Sequence, residues 1–229
     1  MLSQPEIGDI ATELKLSGYV DLGVRKDLDI LSLGRQLGTP VPVLPGEPEL
    51  GLVGARSEAG ELSPNEYAAV YGGANIPLHT DAAYYRVPPR LGILRLKPTS
   101  VSDRPTILVN PLSSKPDHRE FAALRRSLWR IYGGGSLTPF AGRIVEAKGD
   151  DYWFRFDHNC MRPYFRRGKA IEALFHNLLE RCTRHEIAWQ PGQIVVWDNW
   201  KLLHGNGSVK QGTQGKRILE RVLINAALT

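Results

Sequence analysis

The sequence predicts a mainly β protein with helical buttresses, its strands forming an antiparallel double-sheet barrel. Short apolar or alternating runs recur between residues 93 and 225, and Pro and Gly punctuate them. Helical patterns precede that run at 5–15 and 28–37 and interrupt it twice, at 117–131 and 171–182. At 229 residues, 42% of them hydrophobic, the chain fits one domain over 1–229 with enough apolar material for a substantial core.

Residues 5–15 read as a short helix ending before Gly18, and Tyr19 to Leu22 as a strand. Leu28 to Leu37 has helical spacing and is stopped by Gly38 and Pro40. Residues 41–63 are rich in Pro and Gly and read as loop. Ile93 to Leu96, Thr106 to Val109 and Tyr152 to Phe156 read as strands. Asp117 and Glu120 are spaced as a capping box, and Phe121, Leu124, Leu128 and Ile131 continue as one helical stripe up to Gly133. Ile171, Leu174, Leu178 and Cys182 make a second stripe, which places Cys182 in the core. Residues 186–189 and 193–199 flank Gln190-Pro191-Gly192, where Pro then Gly suits the centre of a type II turn. Residues 217–225 form the last strand.

The net charge of +5 is compatible with simple solubility or with an acidic partner. Basic residues gather at Arg125, Arg126 and Arg130, and again at Arg162, Arg166, Arg167 and Lys169. No zinc-finger spacing, RNA-binding aromatic signature or basic helix leading into heptads accompanies them, so nucleic acid is unsupported. No apolar run approaches the roughly 20 residues that span a bilayer, and no secretory signal is visible. With two cysteines, Cys160 and Cys182, free thiols and a cytoplasmic location are the expectation.

The chemistry-bearing pattern is His79-Thr80-Asp81, with His204 123 residues after Asp81 and Arg217 and Arg221 beyond it. On an extended segment, side chains two apart face the same way, so His79 and Asp81 reach one metal while Thr80 points elsewhere. His118-Arg119-Glu120 has the same spacing but starts a helix, where residues two apart diverge. Two histidines and one carboxylate form the facial triad that holds a non-heme Fe(II) with positions left open. Gly205 and Gly207 leave room beside His204. Arg217 and Arg221 share one face of the last strand, about 13 Å apart at strand rise, with Glu220 opposite. Guanidinium groups pointing into a barrel require an anion; a solvated face is the alternative. His158, His176 and His185 read as structural or surface residues.

These residues, in this order, resemble the Fe(II)/2-oxoglutarate dioxygenases of the taurine dioxygenase and clavaminate synthase-like superfamily. The resemblance runs over most of the chain. It covers the opening helix with Gly18 to Leu22, then Ile76 to Asp81, Val87 to Gly92 and Pro105-Thr106. It ends with Pro191 to Asn199, Leu203-His204-Gly205 and Arg217 to Arg221. It implies a double-stranded β-helix (jelly-roll) core, with His79, Asp81 and His204 ligating iron and 2-oxoglutarate and O2 as co-substrates. Thr106 matches a threonine that hydrogen-bonds the distal carboxylate of 2-oxoglutarate, and Arg217 the arginine that salt-bridges it. Arg221 matches an arginine near the iron-binding end, often shared with an anionic substrate group. Asn75 matches a substrate-contacting asparagine. Two departures bear on substrate: Asp103-Arg104-Pro105 replaces a Gly-Gly that often precedes the threonine, and the span from Asp81 to His204 is short for the family.

The implied reaction is hydroxylation with release of succinate and CO2. Because Asp81 is present, hydroxylation is favoured over halogenation, in which a small residue replaces that carboxylate. Charge is consistent: Fe(II) with Asp81 leaves one positive charge, the 2-oxoglutarate dianion makes it one negative, and Arg217 restores balance. The expected substrate is a small polar, anionic or amino-acid-like molecule, free or tethered to an acidic carrier protein. Tyr84, Tyr85 and Arg155 are further pocket candidates, each with a packing role as the alternative. Desaturation or cyclisation by the same cofactors, a non-catalytic metal- or ligand-binding barrel, and nucleic-acid binding are the competing readings.

Overall fold

The computed structural model describes residues 2–53, 76–102, 104–133, 137–149, 151–207 and 217–226. α1 (Gln4–Leu16) leads into β1 (Tyr19–Val24), α2 (Ile30–Leu37), β2 (Thr39–Val41) and β3 (Leu50–Val53). β4 (Leu91–Leu96), β5 (Thr106–Val109) and a 3-10 turn at Pro111–Ser114 precede α3 (His118–Arg126). Next come β6 (Trp129–Ile131), β7 (Phe140–Gly142), β8 (Val145–Lys148), β9 (Asp151–Phe154), β10 (Met161–Pro163) and α4 (Gly168–Glu180). β11 (Arg184–Ile187), β12 (Gln193–Asp198), β13 (Leu203–Asn206) and β14 (Leu219–Asn225) complete the order.

Every pairing between these strands is antiparallel. The major sheet runs β1-β12-β4-β14-β2, with β3 also on β14; the minor sheet runs β11-β5-β13. Alternation along the major strands sorts their side chains into two layers. Leu91, Ile93, Ile194, Val196, Val222 and Ile224 pack with Ile10, Leu14, Ile30 and Leu33 of α1 and α2. The opposite face sends Leu94, Leu96, Val195, Trp197 and Leu219 toward Leu108, Ile187 and Trp189 from the minor-sheet side. A third cluster joins Ile107 and Val109 to Leu124 of α3 and Phe175, Leu178 and Leu179 of α4. The jelly-roll reading with helical buttresses therefore holds, and the space between the two sheets is the interior.

Two local expectations are corrected. The helix predicted to run on through Ile131 ends at Arg126, and Trp129–Ile131 is a strand between β7 and β10. Ser127 turns to an extended conformation, and Trp129 and Ile131 are then buried on one face with Arg130 exposed. A two-residue alternation was hidden inside an apparent helical stripe. The segment expected as loop after residue 41 contains β3, which pairs with the edge of β14 opposite β4. The Gln190–Gly192 turn forms as expected, with Gly192 at φ +84° and the Gln193 N–H donating to the Gln190 carbonyl at 2.9 Å. It carries the chain from the minor sheet to the major one. Cys160 and Cys182 are free and buried.

Candidate metal centre

The residues that converge come from three places. His79 and Asp81 lie on an extended segment ahead of β4, and His204 lies on β13. A two-residue ladder joins the first to the last: the His79 N–H donates to the His204 carbonyl at 2.8 Å and the reverse bond measures 2.9 Å. Gly205 makes this approach possible, because a Cβ there would stand 2.7 Å from the Ile76 carbonyl oxygen. The room it leaves is for the strand carrying His79. Thr80 points away, as the alternation requires; its hydroxyl donates to the Phe154 carbonyl at 3.1 Å and accepts the Phe156 N–H at 3.2 Å.

Potential ligand atoms of His79, Asp81 and His204 all lie within 4.8 Å of one another. The residues are 5%, 2% and 8% exposed, so bulk water does not satisfy them. Asp81 Oδ1 is 3.9 Å from His79 Nε2, and Asp81 Oδ2 is 3.6 Å from His204 Nε2. His79 Nδ1 lies 2.9 Å from the Pro77 carbonyl. As donor in that bond it leaves the Nε2 lone pair facing the cluster. Burial, reinforced by His204, brings the His79 imidazole down to about 4, and burial also lowers His204. Burial works to raise the Asp81 carboxyl, but Arg221 and the two imidazoles outweigh it and keep it below its ordinary value. Neutral imidazoles beside an ionised carboxylate are the forms that bind a metal.

Arg221, on β14 opposite Leu94, donates to Asp81 Oδ1 at 2.7 Å. Asp81 Oδ2 is buried without a hydrogen-bond partner. An unpaired carboxylate oxygen in a dry interior is costly, and a divalent ion between it and the imidazoles removes that cost. The residues fit an Fe(II) triad.

Arg217 and Thr106 also meet. The Arg217 guanidinium donates to Thr106 Oγ1 and to Asn206 Oδ1, both at 2.8 Å. The strand register explains it: Asn206 on β13 sits opposite Thr106 on β5, and His204 opposite Leu108. Thr106 and His204 therefore share one face of the minor sheet. Trp189 Nε1 donates to Thr106 Oγ1 at 2.9 Å as well. Both bonds use the oxygen as acceptor, so neither consumes the hydroxyl proton.

Several supporting residues were not singled out from the sequence. Asn199 accepts the Asp81 N–H at 2.9 Å and donates to the carbonyls of Asp81 and Pro89 at 3.0 and 2.9 Å. Trp200 Nε1 donates to the Pro88 carbonyl at 2.8 Å. Trp197 packs against the His204 ring at 5.1 Å, and lies where a Cβ on Gly92 would be. The signal was the buried polar pair Asp198-Asn199 closing an apolar strand. Arg155, expected as a pocket candidate, is fully buried and committed elsewhere. Its guanidinium donates to the carbonyls of Ala83, Tyr85 and Arg86 and to Glu146. It clamps the segment that follows Asp81. The hydroxyls of Tyr84 and Tyr85 donate to the Val43 and Pro42 carbonyls at 2.6 and 3.3 Å. Asn75 lies outside the described residues.

Residues 116–223 match the model of the family described as "Taurine catabolism dioxygenase TauD, TfdA family". The fold is that of the TauD/TfdA-type oxygenases. An asparagine oxygenase bound to Fe(II), (2S,3S)-3-hydroxyasparagine and succinate is 16% identical; the match covers 96% of this chain and 78% of that one, with a TM-score of 0.70. A taurine dioxygenase from Burkholderia xenovorans is 18% identical over 99% and 83% of the two chains, with a TM-score of 0.70. The non-heme iron oxygenase OrfP, bound to Fe and alpha-ketoglutaric acid, is 14% identical over 99% and 81%, also at 0.70. The curated proteins contain no match to this sequence. Fe(II) and 2-oxoglutarate are thus the ligands seen in structures sharing the TauD/TfdA-type fold. No described helix is long and apolar enough to cross a membrane.

Proposed function

We propose that this chain is an Fe(II)- and 2-oxoglutarate-dependent oxygenase that hydroxylates an unactivated C–H of a small polar substrate, anionic or amino-acid-like. Residues 1–229 act as one catalytic domain, placed in the cytoplasm. The observation that carries the reading is Asp81: one carboxylate oxygen is held by Arg221, and the other is buried, without a hydrogen-bond partner and 3.6 Å from His204 Nε2. His79, Asp81 and His204 would hold the iron, which supplies, with 2-oxoglutarate and O2, the oxidising power for C–H cleavage with release of succinate and CO2.

The protein's own part is positioning and charge. Arg217 and the free proton of Thr106 offer a charge-assisted site for a terminal carboxylate. Arg221 neutralises Asp81 and presents cationic charge to an anionic group beside the metal end. The Asn199 and Arg155 clamps fix the backbone on both sides of Asp81, so the ligand set is rigid before any substrate arrives. The amino-acid and taurine chemistry of the structural relatives supports the substrate class. A carrier-tethered substrate would find cationic charge where β6–β10 pairing sets Arg130 opposite Arg162.

The test is anaerobic loading with Fe(II) and 2-oxoglutarate, then exposure to O2 with a panel of amino acids and sulfonates. The expected result is succinate formation coupled to a product that has gained one oxygen atom. Asp81→Ala lowers that rate by about 10³-fold or more, equivalent to about 4 kcal/mol of barrier. Loss of two hydrogens from the product would reassign the outcome to desaturation or cyclisation. Absence of both succinate and an Fe(II)/2-oxoglutarate charge-transfer band would leave a binding barrel.

A further inference from the structure

The structure assembles a second group of two imidazoles and a carboxylate that shares no residue with the first. Potential ligand atoms of His158, Glu172 and His176 lie within 4.8 Å of one another. Glu172 and His176 are four apart on α4, so they project from one face of the helix. His158 arrives from the segment after β9. Phe156 holds both rings edge-on, at 4.7 Å from His158 and 5.5 Å from His176. The two imidazoles stack at 5.0 Å with planes 8° apart.

The spacing separates a metal site from an ion pair. His158 Nδ1 and Glu172 Oε1 are 3.5 Å apart. That is longer than the 2.7–2.9 Å of a charge-assisted N–H to carboxylate bond. It matches the separation of about 3.4 Å between neighbouring donors on a tetrahedral zinc with bonds of about 2.1 Å. Stacked imidazoles repel if both are protonated, so the arrangement favours the neutral form. Burial and the neighbouring His176 also lower the affinity of His158 for a proton. The side chains of His158 and Glu172 are 30% and 31% exposed, which leaves a path for an ion and room for a water ligand.

We propose that His158, Glu172 and His176 form a second divalent-metal site, selective for a borderline ion such as Zn2+ and completed by water. Imidazole nitrogens with one carboxylate suit zinc, nickel or copper better than Mg2+ or Ca2+. Bound metal ties α4 to the segment after β9. That segment includes Phe156, whose N–H and carbonyl grip Thr80 between His79 and Asp81 of the first cluster.

The test is calorimetric titration of the metal-free protein with ZnCl2. An Asp81→Ala/His204→Ala variant, its first cluster dismantled, retains one equivalent of bound Zn2+. Adding His158→Ala and His176→Ala abolishes that binding or weakens it more than about tenfold. A folded first variant that binds no Zn2+, or binding that survives the added substitutions, overturns the proposal. If the first variant does not fold, His176→Asn alone decides: the stoichiometry drops from two equivalents to one, and an unchanged value of two refutes the second site. The readout is independent of catalysis, so the oxygenase reading stands or falls separately.

Discussion

The chain gathers two histidines and a carboxylate twice, and it builds the two clusters by different means. In the first, every ligand is buried and its backbone is fixed by something distant in sequence. His79 pairs with His204, Asp81 is gripped by Asn199, and the following segment is pinned by Arg155. In the second, two members share one helix face and all three remain partly exposed. The same donor set thus supports different tasks. A rigid, dry cluster suits chemistry in which ligand geometry and water exclusion matter. A half-exposed cluster with few backbone constraints suits exchangeable binding.

The first cluster loses most when its clamp is removed. Arg155→Met leaves three carbonyls without their donor and Glu146 without its counter-charge in a buried setting. Loss of one partner in such a buried network costs about 3–5 kcal/mol. Urea denaturation should show it as a lowered midpoint with an unchanged slope. Arg155→Lys should recover only part of the loss, because one ammonium cannot span the same set of acceptors. A cost under about 1 kcal/mol would mean that the segment after Asp81 is held by other means.

What the sequence disclosed follows from the range of the interactions. The triad was legible because His79 and Asp81 are two apart on an extended run and His204 follows an apolar strand, ahead of Arg217 and Arg221. The Thr106–Arg217 pair was legible only through family likeness, since β5–β13 register, invisible in one sequence, brings Asn206 and Thr106 together. Arg155 looked like a pocket residue; burial of its whole guanidinium against carbonyls is a tertiary event that no local pattern announces. Among the strands, β6 was lost because Leu128 and Ile131 extend a helical stripe that the backbone abandons at Ser127. His158 and His176 looked solitary for a similar reason. The spacing of Glu172 and His176 was the local half of the signal, and Phe156 packing supplies the rest.

Acid should distinguish the clusters next. In the metal-free protein the His79 imidazole is lowered from 6.5 to about 4 by burial and by His204. Above pH 6.5 neither the folded nor the unfolded chain carries that proton. Between 6.5 and 4 the unfolded chain takes it up and the folded one does not, so stability falls as pH falls through this window. Below 4 this residue adds no further loss. The contribution is on the order of 3 kcal/mol at 1.36 kcal/mol per pH unit. His158 is shifted in the same direction but is half-exposed, so its share is smaller. Urea midpoints at pH 7.0 and 5.0 should converge in His79→Asn more than in His158→Asn. Equal convergence would remove the distinction in burial on which the comparison rests.

The smallest effect concerns the anchor for an organic acid beside the first cluster. Thr106 Oγ1 accepts from Arg217 and Trp189, which leaves its proton to be donated. Thr106→Val keeps the side-chain shape and deletes that donor together with the acceptor. One hydrogen bond to a charged group is worth about 1.5–3 kcal/mol, less whatever water restores. The KM for 2-oxoglutarate should therefore rise by roughly tenfold, at about 1.4 kcal/mol per decade, with kcat little changed. Thr106→Ser keeps the hydroxyl and should stay near the parent value. Zn2+ binding at His158, Glu172 and His176 should not respond. If Thr106→Val instead lowers kcat and leaves KM alone, the hydroxyl acts on the reacting end of the site, and the assignment of Arg217 to the far carboxylate must be reversed.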